Sequence, residues 1–297
     1  MTTIEPSPVV PATAPPATGG ARGRGRGRGA RGYLRRPAVV ASLVILLLLV
    51  LVAFVGPALT GQDPLNQDSP RLLGPSAAHW LGTDELGRDL FTRAAYGIRV
   101  DLLVLVIAVP VALVLGSLLG LVSASSRLLD APVQRVFDVV LAFPSLILGL
   151  ALAALLHPGV PAVIVTVIVV DTPIFARVLR TAVRAQRERD YVLAERLLGV
   201  GPARLYLRHI LPNCLGVLIV QTGLSASMAV FLEGALSFIG LGVRPPQPSL
   251  GVLLNASLTY LQTRPLYALG PIAIISALVL CFTALSDALQ AHRWGKR

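Results

Sequence analysis

Between Asp138 and Asp171 the chain carries no charged residue, and that run constrains the fold more than any other feature. The hydrocarbon core of a bilayer takes about 17–25 residues at the helical rise, so the run is too long for one crossing. His157-Pro158-Gly159 divides it, because proline and glycine mark a turn, leaving 139–156 and 160–176 as two spans. Four further uncharged stretches have spanning length: 38–59, 102–126, 214–232 and 267–286. Open sheet edges cannot exist in hydrocarbon, so the expected fold is an all-α membrane protein of six transmembrane helices. Gly116 and Gly120, at G-x-x-x-G spacing, would let another helix approach the second span closely.

Six spans place both termini on one side, and the arginines indicate which. Of the 26 basic residues, 20 fall in the N-terminal tail, the loops between spans two and three and between four and five, and the C-terminal tail. By the positive-inside bias these parts, and both termini, are expected to be cytoplasmic. Seven of the 20 lie in GARGRGRGRGARGYLRR, residues 20–36, which on its own resembles a nucleic-acid-binding stretch. RNA binding adds aromatic stacking groups, and this tail offers only Tyr33. Directly before a first span, the tail reads as a topology determinant and an anionic-lipid contact, with no nucleic acid as partner. Residues 1–37 have no hydrophobic period and read as disordered. Their basic run is too long for a secretory signal peptide.

Composition narrows the function. The chain is 54% hydrophobic and 14% charged with a net charge of +11, an oily protein with clustered cations. The single lysine is Lys296, whereas a phosphate-binding P-loop needs a lysine after a glycine-rich turn that opens a helix. ATP hydrolysis through a P-loop is therefore not expected of these residues. Cys214 and Cys281 sit in apolar runs as small hydrophobes. His79, His157, His209 and His292 lack ligand spacing, so no metal site is expected.

The longest basic loop is RERDYVLAERLLGVGPARLYLRHILPN, residues 187–213. A helix continuing from span four should end at Gly199, a natural left-handed C-cap. Gly201-Pro202 should open a second short helix with Pro202 at its first position, and Pro212 should mark the entry to span five. Tyr191, Leu197, Leu198, Leu205 and Tyr206 stand among arginines as apolar anchors, a pattern that reads as a docking surface for a partner. Before span two, Leu86, Leu90, Ala94 and Ile98 recur at four-residue spacing, with Arg88, Asp89 and Arg93 elsewhere on the wheel. They predict a short amphipathic helix at the outer interface.

The loop resembles the EAA loop of binding-protein-dependent ABC transporter permeases, E-A-A, three residues, Gly, nine residues, I-x-L-P. Aligned on Gly199, the pattern is met at Ala194, Leu211 and Pro212, while Leu193, Glu195 and His209 stand where Glu, Ala and Ile are usual. Three further stretches resemble the dipeptide/oligopeptide/nickel branch of that family and its permease subunit of the C type. LGTDELGRDLFTRAAYGIRVDL, residues 81–102, brings Gly82, Asp84, Gly87, Arg88 and Asp89, with Asp101 where Ser is usual. DVVLAFPSLILGLAL, residues 138–152, brings Asp138 and Pro144. EGALSFIGLGVRPPQPSLG, residues 233–251, brings Glu233, Ser237, Gly240, Pro245 and Pro246 in a run that ends as a stiff, exposed loop. The C-terminal SDALQAHRWGKR departs from the family's pattern.

The resemblance implies a type I importer permease in the bacterial cytoplasmic membrane. Its division is a tail at 1–37, a first helix at 38–59 and an extracytoplasmic segment at 60–101. A permease core follows at 102–290, with a coupling loop at 181–212 and a basic tail at 291–297. Coupling to the ATPase would fall to Tyr191, Ala194, Leu197, Gly199, Pro202, Leu211 and Pro212. The implied partners are a homologous second permease, two ATPase subunits using ATP and Mg, and an extracytoplasmic solute-binding protein. No cofactor on this chain is implied. The cargo would be di- or oligopeptides, with nickel as the alternative. A proton-coupled carrier needs ionisable residues within the membrane, and Asp171 is the one carboxylate there, with Glu233 near an outer helix end; six spans exceed what an RNA-binding anchor needs.

Overall fold

The computed structural model describes residues 37–294; the Arg-rich tail before Pro37 and the last three residues of the basic tail lie outside the described residues. The helices are α1 (Pro37–Thr60), α2 (Leu90–Ser125), α3 (Arg127–Ala142), α4 (Ser145–Leu156) and α5 (Val160–Arg187). Then come α6 (Asp190–Leu197), α7 (Pro202–Phe238), α8 (Leu250–Ser257) and α9 (Pro265–Trp294). Among the described residues the only β pairing is an isolated bridge between Thr83 and Asp89. Five helices, α1, α2, α5, α7 and α9, are long and apolar enough to cross a membrane, and α3 with α4 makes a sixth span if that bent pair is counted as one.

The core forms where small residues let helices close. A Cβ at Gly116 would lie 2.6 Å from the Phe175 Cβ, and one at Gly120 would lie 2.5 Å from the Ala176 carbonyl oxygen. α2 and α5 can therefore touch along their backbones only because these positions are glycine, as the G-x-x-x-G spacing predicts. Around that seam Val104, Ala108 and Ala112 pack with Phe175, Leu179 and Val183 of α5 and with Leu218 and Leu236 of α7. A second cluster joins Ala53 of α1, Leu90 and Ile98 of α2, Leu250 and Leu253 of α8 and Tyr267 of α9. The outer faces of α1, α2 and α7 stay apolar and exposed, as suits helices surrounded by lipid or by other membrane helices.

Two expected elements differ. The third span is not one helix over 139–156, because α3 and α4 meet at 93°. Pro144 has no N–H to continue the helix, and it forces Phe143 into extended backbone at φ −87°, ψ 134°. α3 also carries Asp130, Arg135 and Asp138, and its acids are taken by α5. Arg180 reaches Asp130 with bonds of 2.6 and 2.7 Å, Arg184 adds one of 2.6 Å, and Arg177 pairs with Asp138. Second, Leu90, Ala94 and Ile98 do not form a separate interfacial helix. They are the first turns of α2, which runs unbroken for 36 residues, and all three are buried. Leu86 lies in the preceding turn, outside the helix. The four-residue spacing is real, but it faces α8 and α9 instead of a membrane surface.

Candidate functional site

The basic loop folds as a helical hairpin. α5 ends at Arg187 and α6 begins after a break at Glu188 and Arg189, so the helix from span four does not run on to Gly199. α6 then stops as its sequence predicts. Gly199, at φ +76°, donates to the Arg196 carbonyl at 3.0 Å, and Val200 donates to Glu195 at 3.1 Å. These two bonds form a Schellman turn. No atom lies within 4 Å of a Cβ built on Gly199, so the requirement there is conformational and not steric. Pro202 opens α7 at its first position, where a missing N–H costs nothing.

Beyond Pro202 there is no second short helix. α7 passes through a π-helical turn, Leu205–Ile210, and continues as an α-helix from Leu211 to Phe238. Pro212 cannot donate, and the wider turn before it absorbs the missing bond. Pro212 is thus inside a continuous helix and does not mark a junction.

Inward and outward side chains of the hairpin separate cleanly. Val192, Leu205 and Ile210 are buried in the main core cluster and fix the hairpin to α5 and α7. Leu197 and Leu198 are each 81% exposed, and Leu193, one turn earlier than Leu197, is 59% exposed. Leu205 therefore belongs to the core and not to the surface anchors expected of it, while Leu193 joins the surface. Tyr191 is at the edge and donates to Gln186 at 3.0 Å; Ala194, Pro202 and Pro212 are exposed and Leu211 is half-buried. Two departures from the family pattern turn out to be one contact, with His209 Nδ1 3.2 Å from Glu195. Beside the hairpin a cavity of about 460 Å³ is lined by Arg184, Arg187, Arg196, Ser123 and Glu188. Of these, Arg187 donates to the Ala124 carbonyl at 2.9 Å. An apolar knob beside a basic recess is what a protein partner with an apolar groove and acidic rim would fit.

Most of the remaining motif residues gather at the other end of the bundle, where they bind one another. Asp84, fully buried, accepts from the backbone N–H groups of Leu86 and Arg88 at 2.9 Å each and from Arg88 Nε at 2.6 Å. Asp89 caps α2 through Thr92 N at 2.8 Å and meets His79 Nδ1 at 3.0 Å. Gly82 and Gly87 take φ of +85° and +80° in these turns. Arg93, expected on an outward face, is buried instead. It lies 3.4 Å from Asp84 and donates to the carbonyls of Pro64 at 3.0 Å and Pro246 at 3.4 Å. It thereby ties this knot to the exposed Pro245-Pro246 loop. Gly240 ends α7 with a second Schellman turn, Leu241 donating to Leu236 at 2.9 Å. Ser237 links the helix to that turn, donating to Glu233 at 2.7 Å and accepting from Val243 at 2.9 Å.

Two further carboxyl features are buried within the helices. Glu233 meets Asp101, the residue that stands where the pattern has serine, and both are buried. The chain separation of 101 and 233 gave no sign of this pairing. Asp171 sits alone on α5, accepting from Ser225 of α7. Asp138 pairs instead with Arg177 of α5, and Pro144 marks the bend between α3 and α4, so the motif residues do not form one site.

Similarity to known proteins agrees with this geometry. The model of the "binding-protein-dependent transport system inner membrane component" family matches residues 112–293, and that of the "N-terminal TM domain of oligopeptide transport permease C" matches 28–75. The dipeptide transport system permease protein DppC of Alkalihalophilus pseudofirmus is 38% identical over 253 residues, covering 84% of this chain and 83% of that protein. The di/tripeptide transport system permease protein DppC of Pseudomonas aeruginosa is 37% identical over 268 residues, 88% of each. The glutathione transport system permease protein GsiD of Pectobacterium atrosepticum is 35% identical over 263 residues, 88% of this chain and 87% of that one. In fold, the chain resembles a solved inward-facing MetNI methionine ABC transporter at TM-score 0.56 and 18% identity, covering 68% of this chain and 95% of that one. With its spanning helices, its exposed hairpin and these relatives, the chain belongs to the binding-protein-dependent transport system inner membrane components, as a multi-pass permease of the cytoplasmic membrane.

Proposed function

We propose that this chain is one of two permease subunits of an ATP-driven importer of di- and oligopeptides. It pairs with a homologous permease, receives cargo from an extracytoplasmic solute-binding protein, and is driven by two ATPase subunits that use ATP and Mg. The chain itself holds no cofactor. The end that carries the hairpin is cytoplasmic, as the concentration of arginine there favours. The peptide cargo follows from the names its relatives carry.

The observation behind this reading is the outward leucine patch, Leu193, Leu197 and Leu198, held on a capped turn that is anchored to the core through Val192 and Leu205. Such a knob seats in a groove on an ATPase subunit and passes its movement to the membrane helices. Gly199→Asp tests the coupling. A side chain at φ +76° opposes the turn by about 1 kcal/mol and misdirects the start of α7. The variant is expected to insert normally, yet to lose co-purification with the ATPase or substrate-stimulated ATP hydrolysis in proteoliposomes. Wild-type assembly and hydrolysis would reduce the hairpin to a connector. Cargo is tested on the cognate solute-binding protein, where tight nickel binding without peptide binding would overturn the peptide assignment.

A further inference from the structure

We infer that Asp171 is where the membrane path receives the ammonium end of its cargo. This rests on the peptide reading above and adds a recognition residue to it. Asp171 lies about 16 Å along α5 from Val160 by helical rise, well inside the span. It is 4% exposed, and its side-chain partner is the neutral Ser225 hydroxyl. Among the described residues no arginine or histidine stands within ion-pair reach of it. A carboxylate at that depth is costly unless it faces water or a cation, and such residues mark substrate or ion pathways.

Space and chemistry agree on what the cation is. Asp171 lines a cavity of about 40 Å³ with Ser145, Ile174, Met228 and Phe231. A single water needs about 10–15 Å³ of such space, so the cavity takes an ammonium group with a water or two but no larger group. Its rim residues Met228 and Phe231 are more than half exposed, so it opens on the surface between α4, α5 and α7. An ammonium entering from that surface supplies the charge the protein withholds, while the rest of the peptide lies over the apolar rim. The other buried carboxyl pair, Asp101 and Glu233, is closed: Glu233 is engaged by Ser237, and the two groups face each other.

The assembled transporter in nanodiscs, without binding protein, is probed by saturation-transfer NMR with Ala-Ala and with N-acetyl-Ala-Ala. Wild type should saturate Ala-Ala at least tenfold more strongly than the acetylated probe. Asp171→Asn should lose that preference and Asp171→Glu should keep it. Equal signals from the two probes on wild type, which needs no variant to fold, would overturn the inference. So would full retention of the preference in Asp171→Asn. In parallel, proteoliposomes with loaded binding protein report uptake of Ala-Ala. Wild-type uptake with no Ala-Ala signal at the membrane subunits defeats the Asp171 assignment alone; absence of any peptide uptake defeats the peptide reading beneath it.

Discussion

At the scale of single residues, Asp101 shows how a local departure meets a distant partner. It places a second carboxyl against Glu233 in a fully buried position, with no cation in reach among the described residues. Burying a polar group without good partners costs about 1–3 kcal/mol. Asp101→Ser, which restores the family's usual residue, should therefore raise the thermal unfolding temperature of the purified protein by a few degrees. An unchanged or lower midpoint would mean that the two carboxyls support each other. Residue by residue, the sequence revealed what depends on chain neighbours. Gly199 as a cap, Pro202 as a helix start and the paired glycines of α2 could each be read from short-range rules. Arg93 could not: it looked like a surface charge on a wheel, and only the approach of Asp84, Pro64 and Pro246 makes its burial affordable.

Among the elements, the hairpin and the bent third span carry the most information. Glu195 on α6 and His209 in the π-turn join the two arms of the hairpin, and both are about a quarter exposed. At that exposure the contact is worth at most about 1 kcal/mol. A double-mutant cycle of Glu195→Ala and His209→Ile, read by co-purification with the ATPase, should show positive coupling. Each single change should weaken assembly more than the pair together. Strict additivity would make the two substitutions independent accidents. Spans were legible because hydrocarbon demands long uncharged runs, and five are found as continuous helices. The break at Phe143-Pro144 was hidden by the same uniformity, because an uncharged run says nothing of direction. The acids of α3, which hold it across the arginines of α5, become meaningful only when the two helices are side by side.

For the whole molecule, charge distribution sets orientation and the long helices set what can move. Removing residues 1–30 should leave orientation and transport intact, since Arg31, Arg35, Arg36 and the arginines around the hairpin still outweigh the opposite end. Cysteine-accessibility mapping on either side of the membrane checks this, and inverted loops would show that the tail dictates topology. The π-turn has a mechanical consequence. Because Leu205–Ile210 widens the helix without interrupting it, Pro202–Phe238 is one strut, about 55 Å long at the helical rise. The other arm of the hairpin is jointed at Glu188 and Arg189, where α5 gives way to α6. Force applied at the leucine knob thus meets a pivot on one side and a rod on the other. The rod carries Ser225 about two-thirds of the way along and Glu233 near its far tip, so a tilt of the knob becomes a displacement at both depths of the bilayer at once.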